Sequence, residues 1–350
     1  MDAVAPPSTA QDWTPDEARL SCWLARTIPG FRGPIDLRRI SGGQSNPTFR
    51  LSATGIELVL RSKPAGHTLP SAHAVDREFR VLEALRSTGV PVPYVRALCR
   101  DESVIGTVFY VMDFVPGRVF WDPRLPDLSP VERAAIFDSM NDTIARIHSV
   151  DIAAVGLADY GRPGAYAERQ VARWSKQYRA AETVPIPEMD WLIDWLPRNL
   201  PPEDATRLVH GDYRLDNVLI HPTEPRVVAV LDWELSTLGS PIADFAYHAM
   251  SWRLAPDLFR GLAGVDLRDT GIPGEADYLA QYLRRTGQPQ CDDWDFYLVL
   301  SMFRIASIMQ GIARRSLDGT ASNHDAAAIG AKARPIAEIA VALARGTGRT

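Results

Sequence analysis

The stretch LVHGDYRLDNVLI, residues 208–220, sets His210, Asp212 and Asn217 between the apolar residues Leu208, Val209, Val218, Leu219 and Ile220. Flanks of that kind belong to packed elements, and a carboxylate held among them is costly unless it is paired or put to chemical use. A second acid, Asp232, follows at the end of the apolar run RVVAVLDWE. The segments NVLIHP and RVVAVLDWE, joined by the turn HPTEPR, read as a hairpin. His210, Asp212 and Asn217 then lie on the loop entering one strand and Asp232 at the exit of the next. Phosphoryl transfer needs such a set: one carboxylate orients and deprotonates an attacking hydroxyl, while an amide oxygen and a second carboxylate hold Mg2+ on a triphosphate.

The elements that must position these groups change character near residue 115. Before it, a helix capped by Thr14 and running to about Ala25 precedes three strand-like runs, IDLRRI, TFRLSA and IELVLRS. The segment HAVDREFRVLEALRSTG follows as a helix with Val75, Phe79, Leu82 and Leu85 on one face and a stop at Gly89, and YVRALCR and TVFYVMDF are two further strands. After VPGR the chain reads as helical. SPVERAAIFDSMNDTIARIHSV opens with Ser129, Pro130 and Glu132 in a capping pattern, and AYAERQVARWSKQYRAA follows. The expected fold class is α+β, with a small N-terminal nucleotide-binding lobe (1–114) of antiparallel sheet plus helix. A larger, mostly helical catalytic and substrate-binding lobe (115–350) follows.

The order Asp, four residues, Asn, then a later Asp beyond a strand pair matches protein-kinase spacing through Asp212, Asn217 and Asp232. HGDYRLDN followed by LDWELSTLGSPIADFAY resembles the aminoglycoside phosphotransferase and choline kinase-like family of small-molecule kinases. The resemblance covers residues 35–315 and implies a bilobal protein-kinase-like fold with ATP or GTP between the lobes. It implies Asp212 as catalytic base, Asn217 and Asp232 as magnesium ligands, and His210 as a structural orienter of the loop. Glu234 is left as either a metal ligand or a cap of the turn. Asp244 is expected to brace the loop through backbone hydrogen bonds. Ser41, Gly42, Gly43, Gln44 and Ser45 are expected to cover the nucleotide phosphates with backbone N–H groups. The backbone of Met112, Asp113 and Phe114 is expected to meet the adenine edge. Where the family places Lys on the third strand this chain has Arg61, expected to contact phosphates and to pair with Glu78, with Lys63 on the same strand face as fallback. VLRSKPAG, VMDFVPGRVF, ARWSKQY and DWELSTLGSP are most similar to the branch containing the phosphotransferase domains of acyl-CoA dehydrogenase-like fusion proteins. That branch is associated with hydroxylated acyl-CoA substrates.

The expected function is therefore ATP-dependent O-phosphotransfer to a hydroxyl of a small molecule, whether aminoglycoside-like, an amino alcohol or a hydroxyacyl metabolite. The alternative is a non-catalytic nucleotide-binding module in which Arg61 marks lost catalysis; the intact Asp212, Asn217 and Asp232 weigh against it. A protein kinase fits less well, because HGD replaces HRD, DWE replaces DFG and no segment ending in APE follows. Candidate acceptor walls are Arg173, Trp174 and Tyr178, the acids Asp292, Asp293 and Asp295, and the aromatic run Trp294–Phe303, for which helix core is the plainer reading. A net charge of -5 argues against nucleic acid as partner, and oligomeric state is open. Cys22, Cys99 and Cys291 lack zinc or disulfide spacing. No stretch reads as a leader or a membrane span, so a cytoplasmic location is expected.

Overall fold

The computed structural model describes residues 13–40, 46–64, 74–202, 205–319 and 325–346. In chain order the elements are α1 Glu17–Thr27, β1 Asp36–Arg39, β2 Thr48–Ala53, β3 Ile56–Ser62, α2 Val75–Leu85, β4 Val95–Cys99, β5 Phe109–Asp113, α3 Pro130–His148, α4 Tyr166–Ala181, α5 Pro187–Trp195, β6 Arg207–Val209, β7 Val218–Ile220, β8 Val227–Val230, β9 Thr237–Gly239, α6 Pro241–Ala249, α7 Pro256–Phe259, α8 Glu275–Thr286, α9 Trp294–Leu317, α10 Ala326–Gly330 and α11 Ala333–Gly346. Two compact units result: Met1–Gly117 with Val228–Glu234, and Arg118–Val227 with Leu235–Thr350. The stretch carrying Asp232 thus groups with the N-terminal residues, where the Val230 N–H donates to the Pro91 carbonyl at 2.8 Å.

In the first unit five antiparallel strands run in the order β1-β2-β3-β5-β4. Phe49, Leu51, Leu58, Leu60, Phe109 and Val111 bury one face of that sheet against Leu20 and Leu24 of α1. Each such side chain contributes about 1.5–3 kcal/mol by leaving water. Strand alternation sends Arg61 and Tyr110 to the other face, where Phe79 of α2 meets Tyr110 edge to face. Helix α2 buries Val75, Glu78, Val81, Leu82 and Leu85, so a carboxylate sits on its apolar stripe. Helix α1 is capped by Asp16, whose side chain accepts from the Arg19 N–H, rather than by Thr14. An acid one residue from the helix start satisfies a first-turn donor that Thr14 lies too far back to reach.

The second unit is mostly helical. Helix α3 opens with the expected capping box between Ser129 and Glu132. Strands β6 and β9 pair antiparallel on either side of the His210 loop in sequence, and the chain turns back after β7 with the His221 N–H donating to Arg226 O. Helix α9, 24 residues long, is long and apolar enough to cross a membrane, contrary to the expectation that no stretch reaches that length. It packs against α4, α6, α10 and α11, and Trp294, Phe296, Tyr297 and Phe303 are buried there, which makes the aromatic run core. Cys22, Cys99 and Cys291 are all free thiols.

Candidate active site

In the second unit the loop after β6 is held by one buried carboxylate. Asp244, in the first turn of α6, accepts from the His210 N–H through Oδ2 and from the Gly211 N–H through Oδ1, each at 2.8 Å. The His148 ring adds a 3.1 Å contact from Nε2, and its Nδ1 lies 2.7 Å from the Tyr282 hydroxyl. Burial pushes the Asp244 carboxyl up, but His148 and the His210 N–H outweigh it and hold the group below the usual carboxylate range. Asp244 therefore has the bracing geometry expected of it. Gly211 has φ +82, and a Cβ there would lie 2.5 Å from the Leu235 carbonyl oxygen, so only glycine fits this turn. His210 is fully buried, and its Nδ1 accepts from the Asp212 N–H at 3.2 Å.

Asp212 leaves this turn with its carboxylate surrounded by donors. The Asn217 amide donates to the Asp212 carbonyl at 2.8 Å and to Oδ2 at 2.9 Å, which turns the amide oxygen away from the acid. The short 3₁₀ turn Leu215–Asn217 supplies that placement. Arg214 lies 3.1 Å from Oδ1 through Nε and donates from Nη2 to Oδ2 at 3.2 Å. Burial works against the Arg214 charge, and Tyr247, Asp212 and Asp216 reverse that. The Tyr247 hydroxyl also bonds to Asp212; burial and that carboxylate push its pKa up. Arg304 of α9 donates to the Gly211 carbonyl at 2.6 Å and stacks over the Tyr247 ring at 4.2 Å. Such a carboxylate, held by three side chains and 16% exposed at its own, can orient a hydroxyl and take its proton.

In the first unit Arg61 is the centre of a second set. Its Nε donates to Glu78 Oε2 at 2.8 Å, its Nη2 to Asp232 Oδ1 at 2.5 Å, and its Nη1 to the Thr48 hydroxyl at 3.3 Å. Arg61 and Glu78 are thus brought together as expected, and Asp232 joins them at φ +62, a left-handed conformation that Asp tolerates better than most residues. Burial opposes the Arg61 charge, but Glu78 and then Asp232 raise its pKa, so it stays cationic. Burial pushes Glu78 up against the pull of Arg61. Lys63 faces Asp76 at 3.8 Å instead of Glu78. Glu234 accepts from the Asn46 amide at 3.4 Å.

At the end of β5 the Asp113 N–H donates to Tyr94 O and the Phe114 N–H to Glu57 O. Those two donors are engaged within the unit, so at Asp113 and Phe114 the expected adenine contact is narrowed to groups other than the amides. The Asp113 carboxylate forks onto Arg96 at 2.6 and 2.9 Å, which leaves the Met112 side chain as the buried member of the three. Ser41, Gly42, Gly43, Gln44 and Ser45 lie outside the described residues.

Arg214, Tyr247, His148 and Thr48 were not singled out for this chemistry from the sequence, and Arg304 only as one of several arginines able to meet an anionic acceptor. Arg214 had a signal, because it stands two residues past Asp212 inside the motif. The others come from strands and helices remote in the chain.

Comparison with known proteins identifies the family of the chain. Residues 36–298 match the model of APH, the phosphotransferase enzyme family. A protein from Ralstonia eutropha, provisionally assigned as an aminoglycoside phosphotransferase, is 54% identical, with a TM-score of 0.88 over 95% of this chain and 99% of its own. Acyl-CoA dehydrogenase family member 10 of Mus musculus is 49% identical over 310 residues, covering 88% of this chain and 29% of that protein. The chain spans less than half the length of the curated relatives it matches. At 16% identity, a thermostable variant of aminoglycoside phosphotransferase APH(4)-Ia, in a ternary complex with ADP and hygromycin B, shares the fold with a TM-score of 0.59 over 91% of this chain and 97% of its own. The family and these folds support a small-molecule phosphotransferase of α+β, kinase-like architecture. The chain belongs to the APH phosphotransferase enzyme family.

Proposed function

We propose that the protein is a cytoplasmic, ATP-dependent O-phosphotransferase that moves the γ-phosphoryl group of ATP, or of GTP, to a hydroxyl of a small molecule. The observation that carries this reading is the Asp212 carboxylate, presented by a backbone that Asp244 locks and oriented by Asn217, Arg214 and Tyr247. Asp212 binds the acceptor hydroxyl and takes its proton as the oxygen attacks phosphorus. Arg61, steadied by Glu78, binds phosphate oxygens; a guanidinium fork suits that task, although it sits differently from a lysine point charge. Ser41–Ser45 and the backbone around Met112–Phe114 complete the nucleotide site in this reading. His210 orients the loop. Mg2+, when bound, supplies charge compensation at the phosphates. The chemistry of the donors fits it: Asn217 offers an amide oxygen and Asp232 a carboxylate, the hard ligands that ion takes alongside phosphate and water. Among the described residues there is no cluster of three or more His, Cys, Asp or Glu for a metal, so a site relying on protein ligands alone has no support.

The test is calorimetric titration with Mg-ATP and Mg-GTP, followed by ADP release across hydroxylated acceptors, with Asp212→Asn as the blank. Saturable Mg-dependent binding and a release that the variant lacks are expected. Absence of nucleotide binding overturns the reading. Binding with no release from any acceptor favours the non-catalytic module.

A further inference from the structure

Behind the Asp212 loop, within the second unit, a small cavity is lined by Tyr166, Gln170, Trp174, Tyr247, Ser301 and Arg304. It shares Tyr247 with the Asp212 carboxylate, and Arg304 reaches from it to the Gly211 carbonyl, so the cavity adjoins the residue assigned as base. Its charge is one-sided. The guanidinium of Arg304 lies 5.3 Å from the Trp174 ring centroid, and that of Arg173, on α4, lies 5.2 Å from the same indole. Among the described residues neither arginine has a carboxylate within salt-bridge distance, whereas Arg179 on the same helix pairs with Glu182 and Asp190. The buried Nε of Arg304 has no hydrogen-bond partner. Partial desolvation of the Arg173 guanidinium and the charge of Arg304 both pull the Arg173 pKa down. Arg304 is the charged residue lining the cavity and the exposed Arg173 flanks it over the same indole; with no carboxylate in salt-bridge range the two cations oppose one another, and an unmet buried N–H adds a cost that an anion would relieve.

We propose that Arg304 and Arg173 bind an anionic group of the phosphate acceptor, so that the substrate is a hydroxylated compound bearing a carboxylate or a phosphate. The inference rests on the phosphotransferase reading and deepens it. It selects against the polycationic class, because an amine brought to this wall would meet like charge and find no acid among the lining residues. Trp174 and Tyr247 offer flat apolar faces to the carbon skeleton between the anion and the hydroxyl.

The experiment follows ADP release with Mg-ATP using acceptors matched in pairs, glycerol phosphate against glycerol and hydroxybutyrate against butanediol, with kanamycin and choline as cations. The two anions are also titrated calorimetrically against the wild-type chain, Arg173→Gln and Arg173→Lys. Expected is binding and turnover confined to the anions, with Kd and KM raised about tenfold in Arg173→Gln at little change in kcat, and restored by Arg173→Lys. Arg304→Gln should raise KM as well and also lower kcat, because it loses the contact to Gly211. Turnover of a cation in preference to its anionic counterparts overturns the proposal, as does an unaltered KM in Arg173→Gln or the absence of anion binding at millimolar concentration. Mg-ATP titration of the same samples separates the two readings. Loss of nucleotide binding defeats the phosphotransferase, whereas nucleotide binding without anion binding defeats only the acceptor assignment.

Discussion

Glu78 in the first unit and Asp244 in the second are both almost wholly buried carboxylates, and their surroundings move them in opposite directions. Glu78, 1% exposed, is supported by the Arg61 guanidinium, the Trp233 N–H and the Tyr110 hydroxyl, and burial still pushes its pKa up. Asp244, 3% exposed, receives two backbone N–H groups and an imidazole, and its pKa is held down. Several donors converge on each carboxylate, so the balance of desolvation and nearby charge, with Asp232 pushing Glu78 up and the His148 and His210 rings holding Asp244 down, sets the opposite directions. The two arrangements suit different tasks. Asp244 fixes backbone that must not move, whereas Glu78 steadies Arg61, a side chain that also grips Asp232 and Thr48 and can exchange such partners for phosphate.

The largest expected effect tests whether the Asp244 lock serves chemistry. Asp212→Asn should lower transfer about 10²–10⁴-fold while leaving Mg-ATP affinity and the melting temperature close to wild type, read by ADP release, calorimetry and thermal melts. Surviving transfer would remove the base assignment. Asp244→Ala should instead cost about 3–5 kcal/mol in urea unfolding, because His148 and two buried N–H groups lose their acceptor together. Glu78→Gln should cost about 1–3 kcal/mol, since Arg61 keeps Asp232. If Glu78→Gln proves the more damaging, the comparison is reversed.

The pairing of Arg61 with Glu78 was expected from the family resemblance, and short-range rules account for it. Strand parity puts Arg61 on the α2 side of the sheet, and the spacing of Val75, Glu78 and Leu82 puts the acid on the helix face that meets it. The HGD motif likewise announced Asp212 and Asn217. The backbone hydrogen bonds to Asp244 were expected, but its His148 support was not legible, because His148 lies 96 residues away and becomes its neighbour only when helices pack. The α1 cap was misplaced by two residues because both Thr14 and Asp16 are good caps, and local preference does not choose between them. The run Trp294–Phe303 was read as helix core, but α9 continues to Leu317, an extent that periodicity does not mark where apolar residues lie all round the helix.

A pH-dependent effect separates the buried histidine beside Asp244 from the acids. Burial pushes His248 down to about 4, with Asp244 opposing that shift, and its Nε2 lies 3.0 Å from the Tyr278 hydroxyl. As pH falls below about 6.5 the unfolded chain takes up a proton that the native ring refuses, so stability declines until the native ring titrates near pH 4. The total is about 3 kcal/mol, all of it lost on the acid side. Asp244, held low, adds a loss that comes only below the ordinary carboxylate range, while Glu78, held high, gains stability as it protonates. His248→Phe should flatten the decline between pH 6.5 and 4 in thermal melts; an unchanged slope would assign it to other groups.

Asp113 carries the comparison to the solvent and gives the smallest effect. Its carboxylate forks onto Arg96 with both side chains about a third exposed. Water already solvates such a pair, so neither burial nor convergent donors are at stake, and exposed pairs are typically worth about 0–1 kcal/mol. Asp113→Asn should therefore shift the urea midpoint barely beyond error. Because the adenine contact proposed here runs through backbone, the same variant should keep Mg-ATP affinity within about twofold, well under the 1.4 kcal/mol that a tenfold change represents. A tenfold loss in the calorimetric Kd would show that the carboxylate itself takes part in nucleotide binding, and would place a third, solvent-facing acid beside Glu78 and Asp244 among the charges this fold uses.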